Sequence, residues 1–221
     1  MIKRIYGASV TLFFCTILIS GAAAAEPLAL FNGRDLSGWT YHLDKPDVKM
    51  EDVWSVKDGV LRCTGQPVGY LLTKKNDYEN YVLTLEWRWP DEGGNNGVLV
   101  HVTEPGALGV WPKCLEVQLG SGDAGDFWVI GTTLEIENPA GRIEDRRHKN
   151  LTDNSEKPPG EWNKMEVTCR GDEITVKVNG DLVNRATKLS QSKGAIALQS
   201  EGTPIEYRKI RLKKLGLAKS R

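Results

Sequence analysis

Five side chains able to move protons, steady negative charge or hold hydroxyls recur at alternate positions in three apolar-rich runs. Glu86 and Arg88 lie in Tyr81-Val82-Leu83-Thr84-Leu85-Glu86-Trp87-Arg88-Trp89. His101 follows Val98-Leu99-Val100, and Glu116 and Gln118 lie in Leu115-Glu116-Val117-Gln118-Leu119. Such groups serve general acid–base and electrostatic catalysis. Trp111 and Trp128, close by in the chain, offer the flat apolar face and polar N–H edge that suit a sugar ring. Singly, each polar residue fits a solvated sheet face; together, a Glu/Arg/His/Gln set beside tryptophans points to a site. Other chemistries lack their parts. The run Glu116, Gln118, Gly120 supplies one carboxylate where double displacement at a glycosidic bond needs two close together, and Glu86 could add the second only from another strand. No Gly-x-Ser-x-Gly occurs, and Cys114 has no evident partner. His42, His101 and His148 are scattered without metal-ligand spacing. Asp123-Ala124-Gly125-Asp126 has oxygens for a hard cation but reads better as a turn.

The elements that must position these residues are strands. Odd positions from Tyr81 to Trp89 are large and apolar, and most even ones are polar. Val98/Val100/Val102, Leu115/Val117/Leu119 and Met165/Val167/Cys169 alternate in the same way. Asp58-Gly59 and Asn179-Gly180 are two-residue hairpin signals, and Gly171-Asp172 is a third. No 3.6-residue period is sustained. About a dozen short strands predict two packed antiparallel sheets. If the strands near 81–89 and 97–119 pair side by side, Glu86, Arg88, His101, Glu116 and Gln118 share one surface. Glu137–Gly160, rich in charge and proline, reads as a long irregular loop bordering that surface.

The 221 residues carry 29 Lys and Arg against 29 Asp and Glu. This balance excludes a strongly basic nucleic-acid binder, and 40% hydrophobic with 26% charged residues is a globular composition. Lys3 and Arg4, the apolar run 8–20 and the small residues Ala22–Ala25 form an export signal pattern. The expectation is a signal peptide over 1–25 and one β-sandwich domain over 26–221, periplasmic or secreted, with no membrane partner after cleavage. The secreted form should then begin near Ala25 or Glu26 by mass spectrometry. Cys63, Cys114 and Cys169 remain, an odd number, so at least one stays free or bonds between chains. A Cys63–Cys169 bridge is left open, as is the oligomeric state.

Leu30-Phe31-Asn32-Gly33-Arg34-Asp35-Leu36-Ser37-Gly38-Trp39 resembles the opening of the 3-keto-disaccharide hydrolase family. Trp54-Ser55-Val56-Lys57-Asp58-Gly59-Val60, Leu85-Glu86-Trp87-Arg88, Asn95-Asn96-Gly97-Val98 and Leu115-Glu116-Val117-Gln118 follow in order. Pro159-Gly160-Glu161-Trp162-Asn163, Val178-Asn179-Gly180 and Ala197-Leu198-Gln199 complete the series. The resemblance implies an all-β, two-sheet antiparallel jelly-roll sandwich of the concanavalin A-like kind, with the site on a sheet face. It also implies cleavage of a 3-keto-glycoside: a ketone at C3 acidifies the C2 hydrogen, a base removes it, the glycosidic oxygen departs, and water adds. Carried over, Glu116, His101, Arg88 and Glu86 become candidate catalytic residues, with Arg88 stabilising negative charge and Glu116 or His101 moving protons. Gln118, Trp111, Trp128, Asn96 and Gln199 become candidate substrate contacts. The implied partner is a carbohydrate. No cofactor is demanded, although some family members use a divalent metal ion. The alternative is a non-catalytic carbohydrate-binding sandwich. The chain departs from the family pattern at His101, at Ser200-Glu201-Gly202 and at Tyr207-Arg208-Lys209-Ile210.

Overall fold

The alternating runs become seventeen strands in a computed structural model that describes residues 26–152 and 154–216. The segment read as an export signal lies outside the described residues. Sheet A runs in the order β10 (Glu135–Ile136), β15 (Asp181–Thr187), β14 (Glu173–Val178), β13 (Asn163–Arg170), β6 (Tyr81–Arg88), β17 (Ile205–Lys214), β4 (Val60–Cys63), β3 (Trp54–Lys57). β1 (Leu28–Ala29) adds to β17. Sheet B runs β11 (Ile143–Glu144), β12 (Arg147–His148), β9 (Phe127–Ile130), β8 (Cys114–Gln118), β7 (Gly97–Val102), β16 (Ala195–Ser200), β5 (Gly69–Thr73), β2 (Trp39–Leu43). Every pairing is antiparallel. The molecule is the two-sheet sandwich that the alternation predicts.

The core lies between the sheets. Leu83, Leu85 and Trp87 of β6 and Met165, Val167 and Cys169 of β13 meet Val98 and Val100 of β7, Leu115 and Val117 of β8, and Ile196 and Leu198 of β16. Two hairpins close on the expected dipeptides. Asp58 and Gly59 have φ of 54° and 76°, Asn179 and Gly180 of 52° and 103°, the doubly positive pattern of a type I′ turn.

Two expectations fail here. The runs holding Glu86/Arg88 and Glu116/Gln118 do not share a face, because β6 belongs to sheet A and β7 and β8 to sheet B. The segment 137–160 is not wholly irregular, since it contributes β11 and β12 to the edge of sheet B. The three described cysteines are free and buried. Cys63 (β4) and Cys169 (β13) stand three strand spacings apart in sheet A, roughly 14 Å at about 4.8 Å per strand, which is beyond disulfide reach.

Candidate active site

The outer face of sheet B, turned away from the core, carries the cleft. Strand register builds it row by row. Trp128 of β9 lies opposite Glu116 of β8, and Glu116 opposite Leu99 of β7. In the next row Gln118 faces Gly97. A cavity of about 120 Å³ is lined by Trp111, Glu116, Gln118, Trp128, Arg146 and Glu201, together with Asn95, Leu108 and Ile130. Trp111 is held by a two-way backbone bridge to Leu108 (3.0 and 3.1 Å). Arg146 rides over the Trp128 ring, 5.5 Å from its centroid, in the tight turn joining β11 and β12.

Glu116 is the central group, and it is 6% exposed. Burial, reinforced by the charge of Glu201, pushes its carboxyl up to about 8, against the pull of Gln199 and Arg146. Burial pushes Glu201 up to about 7. The charge on partly exposed Glu201 thus makes ionisation of Glu116 harder, and both carboxyls titrate near neutral pH. Gly97 makes the arrangement sterically feasible. A Cβ there would sit 2.6 Å from Glu116 Oε1 and 2.7 Å from Gln199 Oε1. The bare glycine thus lets side chains from β8 and β16 meet across β7.

Gln118 has a double task. Its Oε1 accepts the backbone N–H groups of Leu119 and Gly120, both at 3.0 Å, while the residue lines the cleft. Gln199, 1% exposed, meets Glu116 across Gly97 and favours its charged form. Asn96, expected at the substrate, is instead a joint between the sheets. Its Nδ2 donates to the Gln199 carbonyl (3.1 Å), and its Oδ1 accepts from Gly97 N–H (2.9 Å) and from the Tyr207 hydroxyl of sheet A. Its neighbour Asn95 reaches the cleft.

The other three candidates sit elsewhere. His101 has φ 55°, and β7 carries one residue more than β16 between its register pairs, a bulge. The bulge breaks the alternation and turns the imidazole into the core, edge-on to the Tyr81 ring at 5.8 Å. Its Nδ1–H donates to the Gln191 carbonyl (3.0 Å), and burial pulls its pKa down to about 4. His101 is a neutral core residue. Arg88, on sheet A, donates to Glu206 at 2.7 Å through both Nε and Nη2 and covers the Trp162 ring. Glu86, also on sheet A, accepts from Arg208 (2.6 Å) and Lys209 (2.9 Å). Burial raises its pKa, but these hydrogen bonds outweigh that and leave it below the usual carboxylate value.

Sequence reasoning did not assign Glu201 or Arg146 to the site. Glu201 follows Gln199 by two residues, the spacing that keeps side chains on one face. Arg146 lies inside the segment expected to border the site, where no periodicity singles out one residue.

A divalent metal does not fit these residues. Among the described residues no three His, Cys, Asp or Glu side chains converge. The Asp123/Asp126 pair already holds the Arg147 guanidinium, at 2.7 Å to each. No step below runs through a metal.

Fold and site together define a carbohydrate-active β-sandwich with a carboxylate pair in a tryptophan-walled cleft on one sheet. The chain belongs to the family of 3-keto-alpha-glucoside-1,2-lyase-like domains, whose model matches residues 26–213. It is similar to a candidate glycosyl hydrolase from Parabacteroides distasonis, with TM-score 0.63 and 25% identity over 86% of this chain and 100% of that one. In fold alone it resembles a carbohydrate-binding module from Bacillus subtilis (TM-score 0.57, 11% identity, 80% of this chain and 96% of that one). A β-glucanase from Bacillus licheniformis is likewise similar in fold (TM-score 0.53, 12% identity, 86% and 99%). Among curated proteins, none matches the chain.

Proposed function

We propose that the protein cleaves a 3-keto-glycoside by 1,2-elimination, with Glu116 and Glu201 as the proton-transfer pair. The observation that carries this reading is the pair itself: a buried Glu116 and a partly buried Glu201, raised to about 8 and about 7 in one tryptophan-walled cleft. Between these values Glu201 is ionised and Glu116 keeps its proton. The ionised member takes the C2 hydrogen that the C3 ketone has acidified. Negative charge forms on the ketone oxygen, where Arg146 supplies the counter-charge. The protonated member donates to the glycosidic oxygen as the C1–O bond breaks and the C1–C2 double bond forms. The pair ends with the same total of protons, its two roles exchanged. Water then adds, OH to C1 and H to C2, giving the free keto sugar. Trp111 and Trp128 provide apolar walls for the ring, and the Gln118 amide holds a hydroxyl.

The test is release of the leaving alcohol from a 3-keto-glycoside, beside its unoxidised parent, by wild type, Glu116→Gln, Glu201→Gln and Arg146→Met. Loss of a proton-transfer group should cost about 10²–10⁴-fold in turnover. Cleavage of the parent as fast as the keto sugar would overturn the elimination route. Full activity of both Glu→Gln variants would remove the pair from the reaction.

A further inference from the structure

The chain is neutral overall, yet its charge is unevenly divided between the sheets. The strands of sheet A carry twelve Lys and Arg against six Asp and Glu, and those of sheet B one against two. The core-facing positions of sheet A are apolar, so the cations stand on its outer face, on the side of the molecule opposite the cleft. Part of this charge is locally compensated. Glu206 lies between Arg62 (2.9 Å) and Arg88 (2.7 Å), and Glu86 takes Arg208 and Lys209.

A bulge concentrates what remains. Arg208 pairs with Glu86 and Arg211 with Thr84, so β17 holds one extra residue there, and Lys209 has φ 53°. Ile210 stays in the core, while Arg208, Lys209 and Arg211 all reach the outer surface. Short Thr84 opposite them leaves a trough of about 300 Å³ lined by Thr84, Glu86, Lys164, Lys209 and Arg211. Lys164 and Arg211 make no ion pair among the described residues. At one end Trp162 is stacked by the guanidinium groups of Arg88 (4.7 Å) and Arg208 (4.0 Å).

We propose that this face binds a linear acidic polysaccharide, with carboxylate or sulfate groups seated along Lys164, Lys209 and Arg211. β17 presents outward cations at Lys209, Arg211 and Lys213. At about 3.3 Å per residue these lie roughly 7 Å apart, a row that matches repeating charges better than one isolated anion. Lipid is a poor fit. Of the exposed large hydrophobics among the described residues, only Leu28 and Leu182 belong to this sheet, too few to insert into a bilayer. The proposal is independent of the chemistry in the cleft.

Chromatography at pH 7 and low salt on immobilised dextran sulfate, polygalacturonate, single-stranded DNA and plain dextran tests it. A chain of zero net charge has no reason to bind a polyanion except through a patch. Wild type should be retained on dextran sulfate, polygalacturonate or both, should pass through plain dextran, and should elute with rising salt. Which acidic support retains it identifies sulfate or carboxylate as the anion. Lys164→Glu/Lys209→Glu/Arg211→Glu should pass through with an unchanged Tm, and the milder Lys164→Gln/Arg211→Gln should elute earlier than wild type. Losing three contacts should lower the slope of log affinity against log salt by about 2. Passage of wild type through both polysaccharides, retention of the two variants like wild type, or tighter binding to the DNA would each overturn the proposal.

Discussion

Glu116 gives a stability signature that can be read without any substrate. Burial holds its folded-state pKa at about 8, above the ordinary 4.5 of an exposed glutamate. The folded protein therefore binds more protons than the unfolded chain between these values. Stability must fall as pH rises through that window, and the loss is complete above about pH 8. Glu116→Gln keeps the shape and removes the titration. Its Tm should pull ahead of wild type as pH rises from about 5 to 8, then stay ahead by a constant margin. Thermal melts across pH 4–9 check this, and parallel curves would mean that Glu116 is not held neutral. Gly97 belongs to the same scale. A methyl group there meets the Glu116 and Gln199 oxygens at 2.6 and 2.7 Å, so Gly97→Ala should push the carboxyl aside. Misplacement by about 1 Å can cost on the order of 10²-fold in rate. Turnover and Tm measured together should show activity lost out of proportion to stability.

At the scale of elements, the period of two was legible because it is local: each strand declares which residues share a face. Partnership was not legible. β6 and β7 follow one another in sequence, yet the connection through Trp89–Asn96 carries the chain from one sheet to the other. Glu86 and Arg88 consequently ended on the face opposite Glu116. The His101 bulge was hidden for a related reason. Val98 to Val102 reads as unbroken alternation, and the extra residue exists only relative to β16. Trp111, Trp128, Glu116 and Gln118 came out together because β8, β9 and the loop before β8 are neighbours in sequence as well as in space. Asn96 and Gln199, both matched to family motifs, adjoin the cleft, but the Asn96 amide ties the sheets together and the Gln199 side chain meets Glu116. β11 and β12 escaped notice because two-residue strands are too short to show a period.

At the scale of the molecule, one buried amide ties the cleft to the far sheet. Asn184, on β15 of sheet A, is fully buried. Its Nδ2 donates to the carbonyls of Gly125 (2.9 Å) and His148 (3.4 Å), and its Oδ1 accepts from Arg142 Nη2 (2.7 Å). Arg142 in turn donates to the Lys149 carbonyl from Nε at 2.9 Å. Leu151 N–H reaches the Val183 carbonyl at 2.7 Å. The segment that carries Arg146 into the cleft is thus strapped to sheet A, not free over sheet B. The loop expected to border the site is part of the structure joining the two layers. Asn184→Ala would take one acceptor from the partly buried Arg142 guanidinium, which keeps the Lys149 and Glu137 carbonyls, and would remove the amide donor from the Gly125 and His148 carbonyls, at a cost of about 1–3 kcal/mol for each carbonyl left unpaired away from water. The expected outcome is a clear drop in Tm together with a fall in turnover of the keto-glycoside, because Arg146 loses its anchor as well as the fold losing stability. Asn184→Asp keeps the acceptor for Arg142 and gives up only the donors, so it should recover part of both. A variant that melts early yet turns over substrate at the wild-type rate would show that Arg146 holds its place through the β11–β12 turn alone.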